Sequence, residues 1–436
     1  MIPFSHHRVE RTDYDTLIIG AGPAGCAAAY DLARAGRRVL LIDKRTFPRP
    51  KACACGLTRK TLAALRYSVD PIIERTCREI VLQQASPDPK QREVRIRNRT
   101  PIAAMAVRER FDNFCLQQTL AAGAELKKIE TILALRQHET HIELDIQTAT
   151  GPETLTAPIL IGADGSNGQT RRMAPPRDSH GEALSPSAQD GFALEATIPY
   201  SALPAKLPAG DHPIDLVFDF APLPGGYGWL FPKADHINIG VGAFAPSDSP
   251  ANPTQLKAVT RNLLAAYTLH KLGVDLTHLA NTVTGQHLGM GGHLYIPQGR
   301  ILLTGDAAGL VDPLTGEGIH SAIISGQAAA AAILECLPPT TELSSRPKDA
   351  HFASAVERPA SPAPPKLSTA AVYARNLRPL QETLAFSHRA AQAFYKDPAR
   401  GFRVMRTPIL RSLVLKTYAD GLPHTKLLTR LARLVT

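Results

Sequence analysis

The stretch that most constrains this chain is Gly20-x-Gly22-x-x-Gly25, set between an apolar strand over 13–19 and an alanine-rich helix that closes at Gly36. A second apolar strand, RRVLLID, follows and ends at Asp43. Glycines at this spacing let the chain turn tightly, let backbone approach a pyrophosphate, and let helix pack on strand. The phosphates then rest on the positive end of the helix. Asp43, at the tip of the second strand, is placed to accept hydrogen bonds from a ribose diol. A Gly-rich turn alone says little, but inside a strand-turn-helix-strand unit it predicts a Rossmann-type layer that binds a dinucleotide.

Composition narrows the class. At 436 residues and 44% hydrophobic, the chain is long enough for two or three domains with a sizeable core. No apolar run approaches the ~18 residues of a membrane span. The polar first fifteen residues do not read as a secretory signal, so cytoplasmic residence is the expectation. The six cysteines form neither a disulfide framework nor a metal-ligand spacing, and no metal is expected. Charge is concentrated. From Lys366 onward there are thirteen Lys/Arg against three Asp/Glu, so the net charge of +10 resides in the tail. Such a block suits an anionic partner or a solvated helical surface.

Further along, strand-like stretches recur near 127–135, 141–149 and 154–161. Between Gly191 and Phe244 the pattern becomes short alternating strands between Pro/Gly loops, which suggests an antiparallel sheet. A helix is predicted over 254–272, and a buried strand, RILLTGDA, leads into an Ala-rich helix over 316–335. Seven prolines in 337–365 suggest a flexible linker, with a basic helical region beyond. The predicted organisation is α/β plus antiparallel β. A discontinuous nucleotide-binding domain takes 1–70, 101–170 and 288–336, a substrate domain takes 71–100 and 171–287, and the helical region takes 366–436.

Two later segments select the nucleotide. GADGSNGQTRR (162–172) and LLTGDAAGLVDPLTGEGIHSA (302–322) resemble the second and third FAD fingerprints of the flavoprotein hydroxylase superfamily, whose members share the fold of p-hydroxybenzoate hydroxylase. The resemblance implies FAD held by Gly20, Gly22, Ala24, Gly25, Asp43 and Lys44 at the first fingerprint and by Asp164 and Gly165 at the second. At the third it implies Gly305 and Asp306, Pro313 beside the isoalloxazine, and amides around Gly316, Gly318 and Ile319 at the ring's N1/O2 edge. Arg108, in VRERFDNFCLQQTLAAGAEL, stands at a flavin-contacting position, although a surface arginine is also compatible with the pattern. A helix N-terminus there suits reduced flavin, which carries negative charge near N1.

GGYGWLFPKADHINIGVG (225–242) holds the only tryptophan, with Tyr227, Trp229 and Phe231 on one face of a strand. A sandwich core takes such residues too. The segment also fits Tyr-x-Trp-x-Phe-Pro, seven residues, Gly-x-Gly, a signature of the geranylgeranyl reductase family, with Gly240 and Gly242 closing it. PKACACGLT (50–58) is similar to that family's Lys-x-Cys-Gly-Gly-Gly-Leu segment, with Ala54 and Cys55 where glycines are usual. The resemblance implies a flavoenzyme that saturates trisubstituted double bonds of polyprenyl chains on lipids, quinones or chlorophyll precursors. Tyr227, Trp229 and Phe231 would then be an apolar tunnel wall and the Gly-x-Gly a place where the chain passes. An isolated alkene needs a proton as well as a hydride, and Cys53, with Cys55 as its substitute, is the candidate beside the reacting bond. An inert buried cysteine is the alternative. His320 is either a relay or a satisfied helix histidine. With a single dinucleotide fingerprint, the electron donor is NAD(P)H bound transiently or a ferredoxin-type protein. The basic tail is expected either to dock at the inner face of a membrane or to cap the substrate domain with its apolar faces inward, with no role for nucleic acid. The rivals are a flavin-dependent monooxygenase of the same fold and a flavin- and prenyl-lipid-binding module without turnover.

Overall fold

A computed structural model describes residues 12–184, 191–204, 216–223, 225–243, 253–337 and 367–421. The linker expected at 337–365 falls almost wholly outside the described residues, as does the segment after Gly421.

Four buried residues, three of them apolar, make the Thr16–Ile19 strand the centre of a five-stranded parallel sheet. Its neighbours are Val39–Asp43 on one side and Ile159–Gly162 on the other, with Glu125–Lys128 and Ile301–Leu303 at the edges. Strands buried on both faces read as continuous apolar runs, which is why this layer was legible. The Pro23–Arg34 and Ile319–Cys336 helices cover it. They approach closely because Gly326 stands against the Ala24 carbonyl, where a Cβ would lie 2.2 Å from that oxygen. An antiparallel meander of Thr131–Gln137, Ile142–Thr148 and Gly151–Ala157 shields the other face with Ile142, Leu144 and Ile146.

The second layer is a seven-stranded sheet. Its central strands are Gly191–Pro199, His236–Ala243 and Gly226–Pro232, all antiparallel. Leu216–Asp219 follows and pairs in parallel with Glu79–Gln83, so residues near 80–97 complete this sheet from far away in sequence. A small sheet of Gly56–Thr58, Ala103–Ala106 and Ile73–Cys77, not anticipated from the sequence, joins the two layers.

Contrary to the reading of the sequence, one apolar run does reach the length of a membrane span: the Ile319–Cys336 helix is long and apolar enough to cross a membrane by length and composition. Eleven of its residues are nevertheless buried inside the protein, and the neighbouring Thr369–Lys396 helix contributes Val372, Tyr373 and Leu377 to the same core. It reads as a core helix. Two shorter helices, Pro398–Arg406 and Pro408–Asp420, follow and send Phe402, Met405 and Leu415 into the aromatic side of the second sheet.

Candidate functional site

Between the two layers lies a cavity of about 500 Å³. Two helix N-termini open onto it. Gly22 caps the Pro23–Arg34 helix and Gly318 caps the Ile319–Cys336 helix, and neither has a side-chain cap. First-turn N–H groups are therefore left for a ligand. The glycines divide the work at the first turn. Gly20 adopts φ +104° and a Cβ there would meet the Ala163 carbonyl at 2.4 Å; at Gly25 it would meet the Gly20 carbonyl at 1.9 Å. At Gly22 the nearest atom is an Arg49 nitrogen at 3.7 Å, so its open side faces the cavity. That is a cradle a side chain would fill, and it fits a pyrophosphate.

Other cofactor candidates converge here. Asp43 closes the turn by accepting from the Ala21 N–H at 2.8 Å and stands in the cavity wall. Lys44 lies at the rim. Asp164 accepts from Thr170 N–H at 2.9 Å, while its buried Oδ1 has no partner. Asp306 lines the cavity with its pKa raised by burial. Gly165, Gly305, Gly316 and Ile319 also border the cavity. Arg108 is buried rather than a surface arginine, with its Nε donating to Asp112 at 2.7 Å. Ala24, at the wall, packs beneath Gly305. Gly25 and Pro313 do not border the cavity: Gly25 is spent on the turn, and near Pro313 the wall is made by Thr315 and Gly316. The donors and open turns suit FAD.

On the opposite wall stand Tyr227, Trp229 and Phe231, each less than 9% exposed. Phe218 on the adjacent strand packs edge-on to Tyr227 and Phe231, with centroids 5.3 and 5.5 Å away. The Tyr227 hydroxyl donates to the Thr315 carbonyl and so ties the aromatic strand to the loop before Gly318. The reading of Gly240 and Gly242 as room for a passing chain needs correction. Neither borders the cavity. Gly240 is the cross-strand partner of Trp229, and a Cβ there would lie 2.1 Å from the indole Cζ2. The indole fills the space that the missing side chain leaves.

The cysteine loop sits where the two walls meet. Cys55 adopts φ +48°, the left-handed region that explains why glycine suits this position. Its N–H donates to the Cys53 sulfur at 3.3 Å. Lys233, 3% exposed, donates to the Ala54 carbonyl at 2.6 Å and holds the loop from the other layer, its pKa lowered by burial. The hydrogen bond from the Cys55 thiol, with Arg108 nearby, holds the Cys53 thiol well below the usual range, while Cys55 is pushed up.

Sequence reasoning missed Glu195. Its carboxylate accepts from the Cys53 N–H at 2.7 Å and from the Asn238 side chain, and Asn238 Oδ1 accepts from Trp229 Nε1 at 2.7 Å. Burial first, then the charge of Cys53, pushes Glu195 up to about 7. The available signal was polarity: Glu195 in FALEATI and Asn238 in INIGVG interrupt apolar strands, and a buried polar residue demands a reason. His320 does not border this cavity; burial and Lys60 lower its pKa to about 3, so it stays neutral in the helix.

Comparison with known proteins agrees with this geometry. A family model described as an FAD binding domain matches residues 13–338. The menaquinone reductase of Mycobacterium tuberculosis is 31% identical over 332 residues, covering 72% of this chain and 75% of the relative. The geranylgeranyl diphosphate reductase of Rhodobacter capsulatus is 27% identical, with 78% and 79% covered. Among solved structures, a geranylgeranyl bacteriochlorophyll reductase-like protein of Thermoplasma acidophilum superposes with a TM-score of 0.72 at 19% identity, covering 97% of this chain and 99% of that one.

Proposed function

Because the chain belongs to the geranylgeranyl reductase family of FAD-dependent oxidoreductases, we propose that it saturates trisubstituted double bonds of a polyprenyl chain carried on a lipid, a quinone or a chlorophyll precursor. The observation that carries this reading is the wall of Tyr227, Trp229, Phe231 and Phe218 facing the uncapped Gly318 helix end across one cavity, with Cys53 between them. Apolar surface of this kind takes up hydrocarbon at about 25 cal/mol per Å² buried.

Bound FAD supplies the hydride. The protein's own residues do the rest. Gly22 and the helix end behind it would hold the pyrophosphate, and the uncapped Gly318 end would stabilise the negative charge of a reduced flavin. An unactivated alkene accepts hydride poorly, so a proton must arrive with it, and positive charge grows on the tertiary carbon. The aromatic faces stabilise that charge through their quadrupoles. Cys53 is the group we place beside the bond. Electrons arrive from NAD(P)H bound transiently or from a ferredoxin-type protein, and the enzyme works in the cytoplasm at the inner face of the membrane, reached through its basic helices.

The test is mass spectrometry of geranylgeranyl diphosphate, menaquinone and unsaturated archaeal-type lipid after incubation with the dithionite-reduced protein. Steps of two mass units per bond are expected. Oxygen consumed in proportion to substrate, with an added oxygen atom, would replace this reading by a monooxygenase. Tight binding of prenyl lipid with no change in its mass would leave a carrier.

A further inference from the structure

Glu195 has no task in the reaction as drawn above, yet it is a carboxyl in the apolar wall of the reaction cavity. Its strand places it in one row with Gly240 and Trp229, across three adjacent strands. Gly240 leaves room for the indole, and the indole N–H takes Asn238 Oδ1, so the amide nitrogen of Asn238 is turned to Glu195. The Cys53 N–H takes Glu195 Oε1 at 2.7 Å. The carboxyl is thus locked to the backbone of the residue whose thiol borders the same cavity.

We propose that Glu195 and Cys53 share a single proton, and that this pair rather than the thiol alone is the acid of the cavity. For its chemistry the proposal rests on the alkene-reductase reading; its test does not. The charges that face the pair come from each surrounding element: Lys233 after the aromatic strand, Arg108 from its helix, Lys51 and Cys55 from the cysteine loop, and Asp306 from the loop beyond Leu303. The strand residues opposite Glu195 are Gly240 and Thr284, both uncharged. Lys233 and Arg108 favour one negative charge on the pair. A second would repel the first in a wall that excludes most water. Two acids in this situation lose their protons in two macroscopic steps that belong to the pair. The Cys53 N–H on Glu195 Oε1 keeps the two acids side by side, and the value of about 7 for Glu195, raised by burial and then by the charge of Cys53, agrees with this coupling.

In the reaction the shared proton leaves for one alkene carbon, where the π electron pair forms the new C–H bond. The hydride supplied to the other carbon completes saturation. The pair, one negative charge richer, then takes a proton from water at the cavity mouth. Glu195, held by the Asn238 side chain, acts through Cys53: it positions that residue and holds the proton for it.

The experiment measures carboxamidomethylation of Cys53 by trace iodoacetamide in the flavin-loaded protein, as a function of pH, by fragment mass spectrometry that separates Cys53 from Cys55. No substrate is needed, so failure to reduce any alkene leaves the readout intact. The wild-type rate should rise in two steps, one near pH 7, and Glu195→Gln should lose that step and leave a single one. A single-step wild-type profile that Glu195→Gln leaves unchanged overturns the proposal. Should Glu195→Gln fail to fold, Cys53→Ser with infrared detection serves instead. The band of the protonated buried carboxyl should then titrate at lower pH than in the wild type, since the thiolate charge is gone, and an unshifted titration overturns the proposal equally.

Discussion

Gly22 and Gly25 stand three residues apart in one turn and answer to different constraints, which makes them separable by mutation. Gly25 faces the Gly20 carbonyl, so any side chain there deforms the turn itself. Gly22 faces open cavity, so Gly22→Val should keep a native circular dichroism spectrum while losing the flavin absorbance after desalting. A yellow Gly22→Val protein with full flavin content would overturn the assignment of the pyrophosphate site. Cys53→Ala should retain and reduce flavin but lower alkene saturation by about 10²-fold, the usual worth of a positioned acid. Wild-type turnover in Cys53→Ala with loss in Cys55→Ala would exchange the two roles. Glu195 carries a third expectation. Its folded pKa lies above its unfolded value, so its stabilising contribution is complete below pH 4.5 and is lost as pH rises through about 7. The span corresponds to about 3 kcal/mol. Thermal melts should show Glu195→Gln gaining on the wild type across that window, and a pH-independent difference would contradict it. The glycines were legible in the sequence because backbone geometry permits no other residue at Gly20 and Gly25. Glu195 was not, because its meaning depends on a hydrogen bond to a residue 142 positions away.

At the scale of elements, the strand Gly226–Pro232 carries two duties that its sequence does not separate. Its aromatic face is both core and cavity wall, because Tyr227, Trp229 and Phe231 pack with Phe218 while bordering the site. The period-two pattern showed which residues share a face, and alternation alone could not say what that face meets. Register settles the glycines: Gly240 lies opposite Trp229 and makes room for it. Gly240→Ala should therefore destabilise the fold by about 1–3 kcal/mol, as overpacking does, and blue-shift or broaden the tryptophan emission through the displaced indole. Trp229 is the only tryptophan, so the signal is unambiguous. An unchanged melting temperature with altered substrate selectivity would restore the tunnel reading of this glycine. The parallel layer was legible for the opposite reason, since strands buried on both faces announce themselves as apolar runs, whereas the Leu216–Asp219 and Glu79–Gln83 pairing joins segments that share no local pattern.

Across the whole molecule, the basic tail proves to have two sides. Its inner side closes the cavity: Tyr418 borders the site and packs against Phe218 at 6.3 Å, and Phe402 and Leu415 are buried beside it. The helix Thr369–Lys396 braces the loop before Gly318 through Ser387 on Asp312 and Tyr395 on the Leu314 carbonyl. Reading the tail as a structural cap is therefore right for these residues. Its outer side exposes Ile409 at 79% and Val414 at 41%, with Arg403 and Lys416 exposed nearby and Arg411 half-exposed. Arg406 is different, because it donates to the Lys90 carbonyl at 3.1 Å and belongs to the fold. A polyprenyl substrate resides in the bilayer, and apolar tips among cations are what an anionic leaflet attracts, at up to about 1 kcal/mol per basic residue within a Debye length of about 8 Å. Liposome co-sedimentation should show binding that requires anionic lipid and weakens with added salt. Neutralising Arg403, Arg411 and Lys416 together should release the protein while leaving its flavin content unchanged, and Ile409→Asp should do the same without touching the net positive residues. Equal binding to neutral vesicles, or none to either kind, would confine the tail to closing the cavity and require the substrate to be delivered by another protein.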